Sequence, residues 1–327
     1  MKRYILLFIA FFCPHLLLFA QDKALFANYQ KQITQQIELV YSEPNANQRY
    51  HASEAVSQLF AAALALDDSF KWKWDFGNRI SVLTAPDRKF RIITWPVVRD
   101  NGEYECFGFV QAYDEQEERY DVYPLNDKSF EIVNRDEAVL SPDNWLGAVY
   151  QELIMTSHDG RNFYTLLGWS GVDNLSQRKV IEPVLFRHNG SKPQFGQALF
   201  RRERNLRRVV FEYAKSAMVN LRYEVQTQRH VETVRVKKKG VKHTVAEKRN
   251  HDEPLLMIIF DEVAPQVPGM EGLFQYYLPT GLEQAYVFNN GKWELRSNVH
   301  GRLLDKRLNK EFAPIDKNAP AYQQPSD

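Results

Sequence analysis

The densest run of charged and ligand-type side chains in this sequence lies between Arg229 and Arg249. There, Thr233-Val234-Arg235-Val236-Lys237-Lys238-Lys239-Gly240-Val241-Lys242-His243-Thr244-Val245 sets Val and Thr in rough alternation with Arg, Lys and His. A period of two puts alternate side chains on opposite faces of a strand, and Gly240 stands where the chain would turn. The expectation is a protruding β-hairpin. Its basic residues, Arg235, Lys237, Lys238, Lys239 and Lys242, would form an arm for an anionic surface: a lipid headgroup, an acidic glycan or an acidic protein. The competing expectation is a solvated edge hairpin whose lysines block edge-to-edge aggregation. A second basic run, Arg201-Arg202-Glu203-Arg204 with Arg207-Arg208, supports the contact reading if it lies beside the hairpin in space.

Catalytic patterns are weak. Gly168-Trp169-Ser170-Gly171 approaches a nucleophile elbow, but the glycine required two residues after the serine is Val172, and turn formers follow where a helix is needed. His51, His158, His188, His230, His243, His251 and His300 are scattered, with no H-x-x-x-H or H-E-x-x-H spacing. A metal site would have to be assembled from distant segments, so no metal ligand is assigned. Asp114-Glu115 and Asp173-Asn174 are acidic loop residues without the spacing of a calcium loop. No cofactor motif is present. Trp72, Trp74, Trp145, Trp169 and Trp293 can stack on sugar rings if exposed, although most Trp in a large sheet is core.

The elements that must position these residues follow from periodicity. Phe26, Tyr29, Ile33, Ile37 and Val40 recur at helical spacing. Pro44, Asn45 and Asn47 break that helix. A second helix is expected from an N-cap at Ser53, with Ala52, Ala55, Val56, Leu59, Phe60, Ala63 and Leu64 as its apolar face and an end near Asp67-Asp68. The pair forms a helical hairpin that must lay its apolar stripe on something. Trp72 and Trp74 share one face of an extended segment that can seat it.

From about Trp74 the pattern becomes that of strands. Asn101-Gly102, Asp159-Gly160, Asn189-Gly190 and Asn290-Gly291 each separate two apolar or alternating runs. Such dipeptides suit two-residue hairpin turns, in which both residues need positive φ. Val209–Tyr213, Val219–Gln226 and a fully buried Leu255–Phe260 complete the expected strands. The fold expected is mainly β (α+β): a large antiparallel, hairpin-built sheet or sandwich with an N-terminal α-helical hairpin. The helical hairpin spans 21–70, the β domain 71–305 and a polar, proline-bearing tail 306–327.

The first twenty residues set an address. Lys2 and Arg3 precede an apolar run from Tyr4 to Leu18, and Leu18-Phe19-Ala20 then offers a cleavage point before Gln21. The expectation is a cleaved signal peptide over 1–20 and a periplasmic or secreted protein, with no transmembrane segment after cleavage. Cys13 leaves with the signal, so Cys106 is alone and an internal disulfide is excluded. In its strand-like surroundings Cys106 reads as a buried structural thiol rather than a nucleophile. The formal net charge of +1 argues against a general nucleic-acid binder.

The segments Lys89–Trp95, Phe107–Gln111, Tyr164–Trp169, Ile258–Asp261 and Gly291–Trp293, in that order, resemble a group of uncharacterised exported proteins of Bacteroidetes-type bacteria over roughly Phe76 to Trp293. The resemblance implies an envelope location and a β-rich body, and carries no activity. The functional expectation is therefore a non-catalytic binding or assembly protein of the cell envelope, with an envelope protein, an anionic glycan or a lipid headgroup as partner. The alternative is a hydrolase acting on glycan or peptidoglycan, which requires a carboxylate pair roughly 5 to 9.5 Å apart in a cleft.

Overall fold

The computed structural model describes residues 14–187, 190–201, 205–236 and 245–297, excepting the side chains of 14–22 and 226–254. The described chain is mostly β, with three antiparallel sheets and an N-terminal helical hairpin. Helix α1 (Pro14–Ser42) turns at Glu43–Asn45 into α2 (Ala46–Leu64). Helix α2 begins seven residues before the expected Ser53 cap. Asn45 caps it instead, its side chain accepting from the N–H groups of Asn47 and Gln48. Ser53 is fully buried inside the helix, where its Oγ accepts 2.8 Å from Trp95 Nε1. Polar Ser at this position serves a tertiary partner rather than the helix end.

The first sheet has the order β1 (Ser81–Thr84), β2 (Phe90–Val98), β3 (Tyr104–Asp114), β4 (Arg119–Asn126). The second runs β5 (Val149–His158), β6 (Arg161–Gly171), β7 (Ser176–Phe186), β8 (Pro193–Phe195), with β9 (Val209–Ala214) also paired to β7. The third runs β10 (Leu221–Val236), β11 (Val245–Pro265), β12 (Tyr277–Asn289), β13 (Lys292–Ser297). Every pairing between these strands is antiparallel. Neither β1 nor β4 was expected from sequence.

The pleat explains the layering. Along β2, Ile93, Trp95 and Val97 face the helical hairpin, joining Phe26, Ile33, Ile37, Val56, Phe60 and Trp74 in one core. Trp72 stacks on Phe26, their ring centroids 5.8 Å apart, so the two tryptophans seat the hairpin as their spacing implied. Phe90 and Ile92 point the other way, onto Tyr150, Leu166, Trp169 and Val184 of the second sheet. The far face of that sheet, with Ile154, Leu167 and Ile181, packs on Ile258, Phe260, Tyr286 and Trp293 of the third. The described residues thus stack in four layers, helices then three sheets, a mainly β body with an N-terminal helical hairpin as expected. Strands β2 and β7 are buried on both faces, and their polar residues, among them Arg91 and Thr94 on β2 and Arg178 and Glu182 on β7, are buried with them.

Two of the four turn dipeptides do what their chemistry implies. Asp159-Gly160 and Asn290-Gly291 both have positive φ at each residue and connect strands through two-residue loops. Asn101-Gly102 lies in a three-residue loop closed by Arg99 N–H donating to the Glu103 carbonyl, with only Gly102 at positive φ. The β7–β8 link is longer, pairing resuming at Phe186–Pro193. Asn189 lies outside the described residues.

Candidate binding cleft

A cleft of about 640 Å³ opens between the β3–β4 hairpin, the β7–β8 link and the loop 139–144. Asp114 ends β3, and its Oδ1 accepts from the backbone N–H groups of Gln116 and Glu117, which closes the turn into β4. Asp121 and Tyr123 follow two residues apart on β4, on one face. Opposite them stand Arg187, Gly190, Ser191 and Lys192, and then Val139, Ser141 and Asn144.

Ser191 joins the two walls. It is buried, with its Oγ 2.6 Å from Asp121 Oδ2, 3.1 Å from Asp114 Oδ2 and 2.7 Å from the Tyr123 hydroxyl. A hydroxyl has one proton and two lone pairs. The shorter contact takes the proton to Asp121, and Tyr123 donates to Ser191. Because one oxygen touches both, the facing carboxylate oxygens stand no more than about 6 Å apart. The backbone N–H of Glu117, with that of Gln116, holds the Asp114 carboxyl below the usual aspartate value. The third wall is set by Asn144 Oδ1, which accepts from the Ser141 N–H at 2.7 Å, and by Leu140, which exchanges backbone hydrogen bonds with Phe195. Lys192 Nζ reaches Asp143 at the rim, 3.3 Å away. The cleft therefore offers anionic acceptors on one side and cationic donors on the other, with half-exposed Val139 between them.

The sites suggested by sequence fare differently. Ser170 is buried inside β6, a strand that runs on to Gly171, and its hydroxyl donates to the Gly171 carbonyl. Gly171 is fixed by packing, since a Cβ there would lie 2.3 Å from the Tyr104 ring. The segment is no nucleophile elbow. Trp74, Trp145, Trp169 and Trp293 are buried, which withdraws them as a glycan-stacking platform. Cys106 is buried, and burial pushes its thiol up, away from nucleophilic use.

Of the basic arm, Lys237, Lys238, Lys239 and Lys242 lie outside the described residues. Arg235 sits in β10 opposite Ala246 of β11, and pairing of the two strands continues to Val236–Val245. N-terminal to Met257, where pairing of β11 with β12 begins, the two strands pair, among the described residues, with each other. The second basic run is divided. Arg202 and Arg204 lie outside the described residues, Arg201 ion-pairs with Glu294, and Arg208 is fully buried against Glu182. Arg208 is therefore not part of an anion-contact surface.

Asp114 could be read from sequence only as an acidic loop residue; Asp121, Tyr123 and Ser191 gave no signal, because their convergence spans some 70 positions. No protein-family model matches the chain, and no curated protein or solved structure matches it either. Among the described residues no helix is long and apolar enough to cross a membrane.

Proposed function

We propose that this chain is an exported protein of the bacterial cell envelope that acts by binding, with the cleft of Asp114, Asp121, Tyr123 and Ser191 as its ligand site. The export step rests on the basic start and apolar run of residues 1–20, and the envelope setting on the resemblance to exported Bacteroidetes-type proteins. The observation that carries the binding reading is the convergence of the two carboxylates on one buried hydroxyl, that of Ser191, beside backbone N–H donors that hold the Asp114 carboxyl below its ordinary value. Fixed anionic acceptors beside Tyr123, Asn144, Arg187 and Lys192 suit a hydroxyl-rich polar ligand such as a glycan fragment of the envelope.

The closeness of Asp114 and Asp121 also favours a second reading, glycan hydrolysis. That chemistry needs one carboxyl with a raised pKa to protonate the leaving group, and Asp114 is shifted the other way. Calorimetric titration of the mature protein with peptidoglycan fragments and neutral oligosaccharides, alongside an assay for new reducing ends, separates the two. The expected result is saturable binding, weakened at least tenfold in Asp121→Asn, without cleavage. Cleavage that disappears in Asp121→Asn would establish the hydrolase instead. Failure of every fragment to bind would overturn the cleft as the ligand site.

A further inference from the structure

The charges in the cleft are met unevenly by the protein itself. On the acidic wall, Asp121 Oδ1 accepts from Arg119 Nε at 3.0 Å, and its Oδ2 takes the Ser191 hydroxyl. Asp114 Oδ1 accepts two backbone N–H groups. Both carboxylates therefore have donors already, with lone pairs left for a ligand's hydroxyls. The basic wall differs. Among the described residues the exposed Arg187 side chain makes no hydrogen bond or ion pair. Lys192 pairs with Asp143 at 3.3 Å, and the two side chains are 59% and 81% exposed. An ion pair so open to water contributes little and gives way to a ligand at little cost. Phe186 pairs with Pro193, so Arg187 and Lys192 are the next residues out on either side of the β7–β8 link, and both line the cleft. Asn144 adds a third donor there. Its Oδ1 accepts from the Ser141 N–H and hydroxyl, which leaves its amide N–H groups for a ligand.

We propose, resting on the cleft as the ligand site, that its ligand is acidic: a saccharide bearing a carboxylate, which Arg187, Lys192 and Asn144 receive while the sugar hydroxyls donate to Asp114 and Asp121. The charge left unmet in the cleft is positive, so the ligand brings the negative one. A carboxylate matches the planar fork of a guanidinium through two parallel hydrogen bonds. It fits better than a phosphate, because Asp114, Asp121 and Asp143 stand around the same cavity and repel a more highly charged group more strongly. The carboxylate belongs either to a uronic acid or to the amino-acid stem of a peptidoglycan fragment, and the same contacts serve both.

The experiment is calorimetric titration of the full-length mature protein with trigalacturonic acid and with muramyl dipeptide, each compared with its methyl ester, which keeps the hydroxyls and removes the charge. The expected result is that at least one acid binds about tenfold or more tighter than its ester, and the probe that does so identifies the source. That advantage should disappear in Arg187→Gln/Lys192→Gln and persist in Asp121→Asn, where acid and ester weaken together. Both cationic side chains are exposed, so the double variant is expected to fold, and circular dichroism checks that it does. Equal binding of each acid and its ester would overturn the acidic ligand and leave the cleft as a ligand site. An acid preference untouched by the double variant would overturn the roles given to Arg187 and Lys192. Failure of all four compounds to bind would overturn the cleft itself.

Discussion

Arg208 Nε lies 2.6 Å from Glu182 Oε1, and both side chains are completely buried. Glu182 also accepts from the Tyr150 hydroxyl, while Arg208 donates to the carbonyls of Phe195 and Arg135. The pair thus ties β7, in the middle of the second sheet, to the segment entering β9 and to the loop after β4. Removing one partner leaves an uncompensated charge in the core, so Glu182→Gln or Arg208→Met is expected to cost about 3–5 kcal/mol. The double variant Glu182→Gln/Arg208→Met should cost less than the two singles together, because no unpaired charge is then left in the core. Denaturant unfolding of the four proteins measures the coupling, and strict additivity would contradict it.

Ser53 and Trp95 fix the helical hairpin to the first sheet. Ser53→Ala leaves the buried Trp95 N–H without its acceptor, at an expected cost of about 1–3 kcal/mol. In a Trp95→Phe background the donor is gone and the same substitution should be much closer to neutral. Equal costs in both backgrounds would show that the hydrogen bond contributes little.

Glu152 connects the second and third sheets by accepting from the Tyr223 N–H at 3.3 Å. Burial raises its carboxyl above the ordinary glutamate value, and the Tyr223 N–H opposes that only in part. A raised folded-state pKa means the folded protein holds the proton more tightly than the unfolded chain, so this group favours folding at low pH and loses that contribution as pH rises through its folded pKa. Glu152→Gln removes the cost of ionisation. Its melting temperature should exceed that of the unsubstituted protein at pH 7, with the gap closing as pH falls through the raised folded-state pKa toward the ordinary glutamate value of about 4.3. Calorimetric melts at several pH values check this, and a gap constant with pH would count against it. Asp127 and Asp136, also raised by burial, act in the same sense and persist in the variant.

The basic arm predicts a separation of association from stability. If the arm is the solvated contact surface expected from sequence, replacing Arg235, Lys237, Lys238, Lys239 and Lys242 by Glu should weaken co-sedimentation with envelope fractions and leave the melting temperature nearly unchanged. Unchanged association would remove the arm from the binding surface.

Local pattern made much of this fold legible. The helical spacing of Phe26, Ile33, Ile37 and Val40 marks the residues that α1 buries. The Asp159-Gly160 and Asn290-Gly291 turns locate four strands, because only a few residue types accept positive φ at two successive positions. The expected Ser53 cap fails for an instructive reason: Asn45 caps the helix about two turns earlier, and Ser53 is held by a residue 42 positions away. Strand β4 alternates too weakly to announce itself. It forms because β3 offers an edge and Tyr120 stacks on Phe70.

The sequence by itself determined the helical hairpin, the strand character of the body and the buried stripe of the helices, since these depend on neighbours within a few positions. Tertiary structure alone decided that the strands form three stacked sheets, that Arg208 is a core residue, and that Ser191 meets Asp114 and Asp121. Charge, hydroxyl and imidazole have no periodicity of their own. Whether each is solvated, buried with a partner or assembled into a site is fixed by which strands pair and in what register, and those pairings join residues tens of positions apart.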